Sequence, residues 1–203
     1  MVEEAEKFKL PAGLTPLKGE KIVFYGRLSF LASFFGSIVW VLLGFVLIFL
    51  GVIGKFPLLY FVGLFFILGI PLLKIYASEY MISNRRVYVK FGLISRRITE
   101  ARLEWVTDVH IDQGIFGRIF NYGNIIFATP SGPLTSVVME GVSDPLRVRT
   151  IVLDWIKKAK ESEKIKKKLE DLEKEYELGR VDEKKYKELK EKYEKELSAL
   201  ESD

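Results

Sequence analysis

The chain has 203 residues, of which 49% are hydrophobic and 29% are charged, and its formal net charge is +4. Lys55 is the only charged residue between Leu28 and Leu73, whereas residues 157–203 contain 15 basic and 15 acidic side chains. This separation excludes a chain that is disordered throughout and argues against a single soluble globule, and because the most charged segment is itself neutral, no nucleic-acid partner is expected.

The chain lacks most of the side chains that support catalysis or metal binding. It contains no cysteine and a single histidine, His110. Disulfides, thiolate metal sites and most catalytic triads are therefore excluded. The sequence also contains no phosphate loop and no dinucleotide fingerprint. We therefore predict a protein that is not an enzyme, with no catalytic residue, no metal site and no cofactor.

Two uncharged runs follow a predicted cytoplasmic N-terminal segment, residues 1–27. The runs cover about residues 28–54 and 56–73, and a membrane-spanning helix needs about 20 apolar residues. Together they predict a transmembrane hairpin over residues 28–75. The second run is the shorter, and Pro71 is expected to kink or end it, so a re-entrant segment is the alternative for this run.

Basic residues at the ends of the two runs predict the orientation of the hairpin. Lys18, Lys21 and Arg27 precede the first run and Lys74 follows the second, whereas the short connection carries Lys55 alone. Lys and Arg near span ends favour the cytoplasmic side. We therefore expect a multi-pass protein of the cell membrane, surrounded by the lipid bilayer, with both termini in the cytoplasm.

The middle of the chain, residues 77–160, shows short alternating segments separated by turn residues. The pattern predicts strands over residues 80–83, 86–91, 96–99, 103–112, 124–129 and 135–140. Pro130 to Pro133 is typical of a hairpin loop. Asp144 is expected to cap a helix that begins at Pro145. This layout predicts a small β-barrel or sandwich that is capped by a helix.

Residues Tyr80 to Ile156 resemble a bacterial pleckstrin-homology (PH) domain of the membrane-attached type. The most specific match is the run from Gly117 to Gly123, Gly-Arg-Ile-Phe-Asn-Tyr-Gly, and the other matching features are Ser83-Asn84-Arg85-Arg86, Gly92-Leu93, Asp108-Val109 and Asp144-Pro145. An upstream pair of spans is common in that family. The resemblance implies a fold, and it does not imply a ligand.

Four arginines of this domain are candidates for contact with lipid headgroups: Arg85, Arg86, Arg96 and Arg97. Basic residues close to an anionic leaflet are attracted to it, by about 1 kcal/mol each. The alternative is that these arginines are solvated strand ends.

The charged tail, residues 161–203, has two apolar stripes at helical spacing. They predict two amphipathic helices joined at Gly179, with Asp182 as the cap of the second helix. Leu169 to Leu197 resembles the short C-terminal domain found in many prokaryotic membrane-linked proteins, which implies oligomerisation or protein interaction. The stripes need each other, the barrel or another chain. The residues that we expect to face a partner are Leu169, Leu172, Tyr176, Tyr186, Leu189, Tyr193 and Leu197.

The predicted fold class is an α+β membrane protein, with a transmembrane hairpin, a PH-like domain and a helical hairpin at the C-terminus. We expect a non-enzymatic scaffold or membrane-associated assembly factor whose tail mediates self-association or binds protein partners. The alternatives are a module that senses anionic lipids and a small accessory subunit of a transporter or envelope complex.

Overall fold

The computed structural model describes residues 20–130, 132 and 136–202. Of the predicted N-terminal segment, residues 1–19 lie outside the described part, and so do Ser131 and Pro133 of the predicted loop Pro130–Pro133. The chain divides into two compact units, residues 1–151 and 152–203.

Four antiparallel strands form the first sheet, in the order β1-β2-β3-β4. They are β1 (Ile22–Arg27), β2 (Ser78–Ser83), β3 (Arg86–Phe91) and β4 (Arg97–Arg102). Strand β1 lies in the segment that the sequence pattern assigned only to an N-terminal extension. It pairs with β2 across the whole length of the apolar runs, with Arg27 opposite Glu79. The first sheet therefore begins before the apolar runs and is completed after them.

Three antiparallel strands form the second sheet, β5 (Asp108–Asp112), β6 (Tyr122–Ala128) and β7 (Val137–Ser143). The strand predicted over residues 103–112 is shorter than expected, because Leu103–Trp105 forms one 3-10 turn before β5. Strands β3 and β4 pack on β7. Side chains that are almost fully inaccessible to solvent fill the core of the domain: Tyr80, Ile82, Val87, Val89, Val109, Ile125, Phe127, Val137 and Met139. The prediction of an α+β fold is confirmed, and in place of the open choice between a small β-barrel and a sandwich the structure has two antiparallel sheets.

The prediction of one span over residues 28–54 required a continuous helix, but the first apolar run forms two helices. It forms α1 (Phe30–Phe35) and α2 (Ile38–Gly54), which are separated by a turn at Gly36 and Ser37. The backbone N–H of Ser29 donates to the carbonyl of Gly141 on β7 at 2.8 Å. Because α1 is held against the second sheet, the long apolar helix of this run starts only at Ile38.

The second run forms one helical stretch from Pro57 to Ala77, which consists of α3 (Pro57–Leu64), a π-helical segment (Phe65–Gly69) and α4 (Ile70–Ala77). It continues six residues past Pro71, which therefore does not end it. Proline has no N–H for the carbonyl one turn earlier, and the wider π segment directly before it accommodates this loss. Within the described residues, this 21-residue helix is the one that is long and apolar enough to cross a membrane, while Ile38–Gly54 is a shorter apolar helix.

A short helix, α5 (Ile115–Ile119), connects β5 to β6, and two long helices complete the chain, α6 (Pro145–Glu177) and α7 (Glu183–Ser202). The predicted helix start at Pro145 is confirmed. Asp144, however, has a φ of 49° and therefore not the extended backbone that is usual for a cap. The guanidinium Nε of Arg149 donates to the carbonyl of Val109 at 3.1 Å, which fixes the first turns of α6 to β5.

Candidate functional site

The apolar helices leave the sheets at one end, which we call the base of the hairpin. Helix α4 continues directly into β2, and the N–H of Gly92 donates to the carbonyl of Ala77, the last residue of α4, at 2.9 Å. The turn between β3 and β4 therefore lies beside the end of the second apolar helix.

Helix α5 also lies at the base, on the side of the first apolar run. The ring of Phe35, the last residue of α1, stacks on Phe116 at 4.9 Å and on Phe120 at 5.4 Å between ring centroids. Phe120 belongs to the Gly117–Gly123 run, the most specific part of the family resemblance, and Phe116 directly precedes that run. The side chain of Gln113 anchors this turn by donating to the carbonyl of Tyr122 at 3.0 Å.

Residues 92–97 and 115–120 together form what we call the base surface. Apolar side chains on it are exposed: Leu93, Ile94, Ile115, Phe116, Ile119 and Phe120. Ile94 is as accessible as in a free peptide, at 102%. The charged side chains of these two segments are Arg96, Arg97 and Arg118, and all three are exposed. This surface was not predicted from the sequence, although four apolar residues surround Arg118 in the chain.

The structure does not bring the four predicted arginines together. In the β3–β4 pair, Phe91 lies opposite Arg97, whereas Arg86 lies opposite Arg102. Five residues of extended chain separate the two ends of β3, which corresponds to about 17 Å. Arg96 and Arg97 are thus at the base, and Arg85 and Arg86 are at the opposite end of the sheet.

Arg86 is held inside the protein by two carboxylates. Its Nε and Nη2 donate to the two oxygens of Glu20 at 2.9 and 3.1 Å, and its Nη1 donates to Glu100 at 2.9 Å. The hydrogen bond with Glu20 is the largest cause that raises the pKa of Arg86, against the opposing effect of burial. Only 1% of the Glu20 side chain is exposed. Arg86 therefore acts as a structural clamp between the start of β1 and the first sheet.

The Ser83–Arg86 motif explains how this clamp is built. The Ser83 hydroxyl accepts hydrogen bonds from the backbone N–H groups of Arg85 and Arg86 at 3.2 and 3.0 Å, and it donates to Glu20 at 2.7 Å. The Asn84 side chain accepts from the backbone N–H of Lys21 at 2.9 Å. The motif thus joins the β2–β3 turn to the N-terminal strand, while the Arg85 side chain points to the surface and is exposed.

Charged groups also mark the base of the hairpin. Glu79 accepts from Lys90 at 2.9 Å and from Arg27 at 3.5 Å, and the Arg27 guanidinium lies over the ring of Tyr76. Within α4, the Lys74 ammonium donates to the carbonyl of Gly36, the residue that follows α1, at 3.2 Å. Lys74 therefore satisfies a carbonyl that the helix break exposes.

The two apolar helices approach each other closely at glycines. A Cβ added to Gly44 would lie 2.6 Å from the carbonyl oxygen of Gly63, and one added to Gly63 would lie equally close to the carbonyl of Gly44. Small residues that allow such backbone contact are typical of helix pairs in membranes. The sequence showed these glycines, and only the structure shows that they face each other.

The tail stripes pack on each other within the second unit. Tyr176 stacks on Tyr186 at 4.2 Å between ring centroids, and Lys168 lies over the ring of Tyr193. Leu172 is buried, and the remaining members, Leu169, Leu189 and Leu197, are half-buried. The turn between α6 and α7 is at Gly179, as predicted, and Asp182 accepts from the N–H of Lys184 at 3.2 Å as the predicted cap. The stripes were expected to need each other, the barrel or another chain. The structure shows contact between the two stripes.

No group of three His, Cys, Asp or Glu residues that could hold a metal ion is found in the part of the chain that the structure describes. His110 is exposed and lies 3.5 Å from Asp108 on the same strand. The absence of enzymatic activity stays a prediction.

Comparison with known proteins identifies the family. The family model for the bacterial PH domain matches residues 27–171, which include both apolar runs, strands β2 to β7 and most of α6. No match was obtained among curated proteins or among solved structures. The match covers more than the predicted segment from Tyr80 to Ile156, and the resemblance of the tail to a short C-terminal domain stays a prediction. A PH-like domain indicates a module for lipid or protein interaction, compatible with a location at a membrane. The chain belongs to the bacterial PH domain family.

Proposed function

We propose that this chain is a non-enzymatic membrane protein, in which the apolar hairpin anchors the PH-like domain at the cytoplasmic face and the tail mediates protein interaction. The observation that carries this proposal is the exposure of the apolar helices. Only 11% of an 18-residue apolar stretch of helix Pro57–Ala77 is buried, whereas the core helix of a soluble protein is mostly buried. Large apolar side chains of α2 are exposed in the same way: Val39, Leu42, Phe45, Phe49 and Ile53. A continuous apolar surface of this kind requires a cover, which a bilayer provides.

The lengths of the two helices support an antiparallel pair of spans. Helix α2 has 17 residues, and the stretch from Pro57 to Leu73 before Lys74 has the same number. Each corresponds to about 26 Å, slightly less than the hydrocarbon core of about 30 Å, and a small mismatch of this kind is accommodated by local thinning of the bilayer. The contact between Lys74 and Gly36 marks the level at which both helices leave the apolar region.

The first experiment tests insertion and orientation. Because the natural chain has no cysteine, single cysteines can be introduced at Phe56→Cys in the hairpin connection and at Ser198→Cys in α7. We expect the protein to stay in the membrane pellet after alkaline carbonate extraction, and an impermeant maleimide to label Phe56→Cys, and not Ser198→Cys, in intact spheroplasts. Release by carbonate would contradict anchoring, and labelling of both positions would contradict the orientation.

The tail is proposed to mediate self-association or to bind a protein partner. Truncation after Gly179 removes α7, and with it the rings that contact Tyr176 and Lys168 across the tail hairpin. If the hairpin is the interacting unit, native mass spectrometry in detergent should show a smaller assembly or the loss of co-purifying proteins. Glu183→Gln is the control, since it removes only an exposed ion pair with Lys187. An unchanged mass and unchanged co-purifying proteins after truncation would contradict this role.

A further inference from the structure

We propose that the base surface, residues 92–97 and 115–120, lies in the headgroup region of the bilayer and binds anionic lipid. This inference rests on the proposed anchoring by the hairpin. It adds a second, electrostatic contact between the PH-like domain and the membrane. Of the four arginines that the sequence pattern indicated, it keeps Arg96 and Arg97, and Arg118 takes the place of Arg85 and Arg86.

The first support is position. The turn between β3 and β4 is hydrogen-bonded to the last residue of α4 through Gly92, and α5 is stacked on the last residue of α1 through Phe116 and Phe120. Both segments of the base surface are therefore continuous with the ends of the apolar helices. A bilayer that covers the helices down to Gly36 and Lys74 comes next to these segments.

The second support is the shape of α5. The exposed apolar residues Ile115, Phe116 and Ile119 of α5, with Phe120 at its C-terminal cap, follow the spacing i, i+1, i+4 and i+5, which places them on one side of a helix. Gly117 is buried, so the opposite side faces the domain. An apolar side flanked by a basic residue is the arrangement of helices that lie in the interface plane of a membrane.

The third support is the turn between β3 and β4. Leu93 and Ile94 are exposed at its tip, and Arg96 and Arg97 follow after Ser95. Because Ile94 is as accessible as in a free peptide, its side chain is not buried against any part of the described chain. The two apolar side chains can insert below the phosphate groups of the lipids, while the guanidinium groups of the two arginines bind those phosphates.

The fourth support is charge. The base surface, residues 92–97 and 115–120, contains three arginines and no acidic residue. At the other end of the first sheet Arg86 is neutralised by Glu20 and Glu100. The unbalanced positive charge of these segments is therefore on the side of the hairpin, where it complements an anionic leaflet. A protein partner would not need this surface to be continuous with the membrane helices, so we favour lipid.

The experiment uses the full chain with single cysteines labelled by an environment-sensitive fluorophore. The labelled positions are Ile94→Cys and Ile119→Cys on the base surface, Phe61→Cys on helix Pro57–Ala77, and Arg85→Cys at the opposite end of the sheet. The protein is reconstituted in vesicles of phosphatidylcholine alone, or of phosphatidylcholine with phosphatidylglycerol, and both contain nitroxide-labelled lipids with the nitroxide near the headgroup or deep in the acyl chain.

We expect the shallow nitroxide to quench the probes at Ile94→Cys and Ile119→Cys, more strongly in the anionic vesicles, and to leave the probe at Arg85→Cys unaffected. Arg97→Gln should lower the ratio of docked to undocked domain about fivefold at low salt, since each basic residue near an anionic leaflet contributes about that factor. The matched replacement Arg85→Gln should leave the ratio unchanged.

The outcomes separate this inference from the proposed anchoring. Deep quenching at Phe61→Cys without quenching at Ile94→Cys and Ile119→Cys would overturn the inference and leave the anchor in place. Absence of quenching at Phe61→Cys would overturn the anchor, and the inference with it. Equal quenching of the base surface in neutral and anionic vesicles, with no effect of Arg97→Gln, would overturn the binding of anionic lipid.

Discussion

We expect Arg86→Met to lower the thermal unfolding midpoint of the full chain by about 10 °C or more, because it removes the guanidinium that binds the buried carboxylate of Glu20. Arg86 joins Glu20 and Glu100 at 2.9 Å each. Removing one partner of a buried ion pair typically costs about 3–5 kcal/mol. The measurement is circular dichroism during heating, in a detergent that keeps the wild-type chain folded.

Arg85→Met is the matched control for this prediction, since Arg85 is adjacent in sequence and exposed. Its midpoint should be close to that of the wild type. The double variant Glu20→Leu with Arg86→Met removes both charges and should be more stable than Arg86→Met alone. Equal midpoints for Arg85→Met and Arg86→Met would show that the pair does not stabilise the fold.

Gly44→Ala should separate the two apolar helices. The new methyl group would lie 2.6 Å from the carbonyl oxygen of Gly63 and 2.7 Å from Cγ1 of Ile67, closer than real Cβ atoms come to other heavy atoms. Overpacking at such a contact typically costs about 1–3 kcal/mol, which corresponds to a fall of roughly 5 °C or more in the unfolding midpoint.

Gly114→Ala is the control for Gly44→Ala, because a Cβ at Gly114 meets nothing within 4 Å and its φ of −70° suits alanine. Gly63→Ala, on the other side of the same contact, should reproduce the effect of Gly44→Ala. A wild-type midpoint for both Gly44→Ala and Gly63→Ala would contradict the close approach of the two helices.

Several features of this protein could be predicted from local patterns. Period-two alternation located the strands of the PH-like domain, and the spacing of apolar residues together with Gly179 located the tail helices. These signals depend on neighbours in the chain, so the sequence contains them directly. The family resemblance was visible for the same reason, since the run from Gly117 to Gly123 is a contiguous stretch of the chain, from the end of α5 to the start of β6.

Contacts between distant parts of the chain could not be predicted in this way. Strand β1 has no partner within fifty residues, and its neighbour β2 comes only after the two apolar helices. The sequence also gives no sign that Arg86 binds Glu20, which is 66 positions away, whereas Arg85 beside it is exposed. The four arginines named as candidates for headgroup contact therefore lie at two opposite ends of the first sheet, which only the register of β3 and β4 shows.

The sequence by itself determined that the apolar and charged residues of this protein occupy separate segments, because composition along the chain is a local property. The tertiary structure decided where those segments meet. It breaks the first apolar run at Gly36, since α1 is bonded to β7 through Ser29 and Gly141. It also places Ile94 and Phe116, which are 22 positions apart, at the same base of the hairpin. Such a surface forms only when antiparallel pairing and ring stacking bring its parts to one end of the domain.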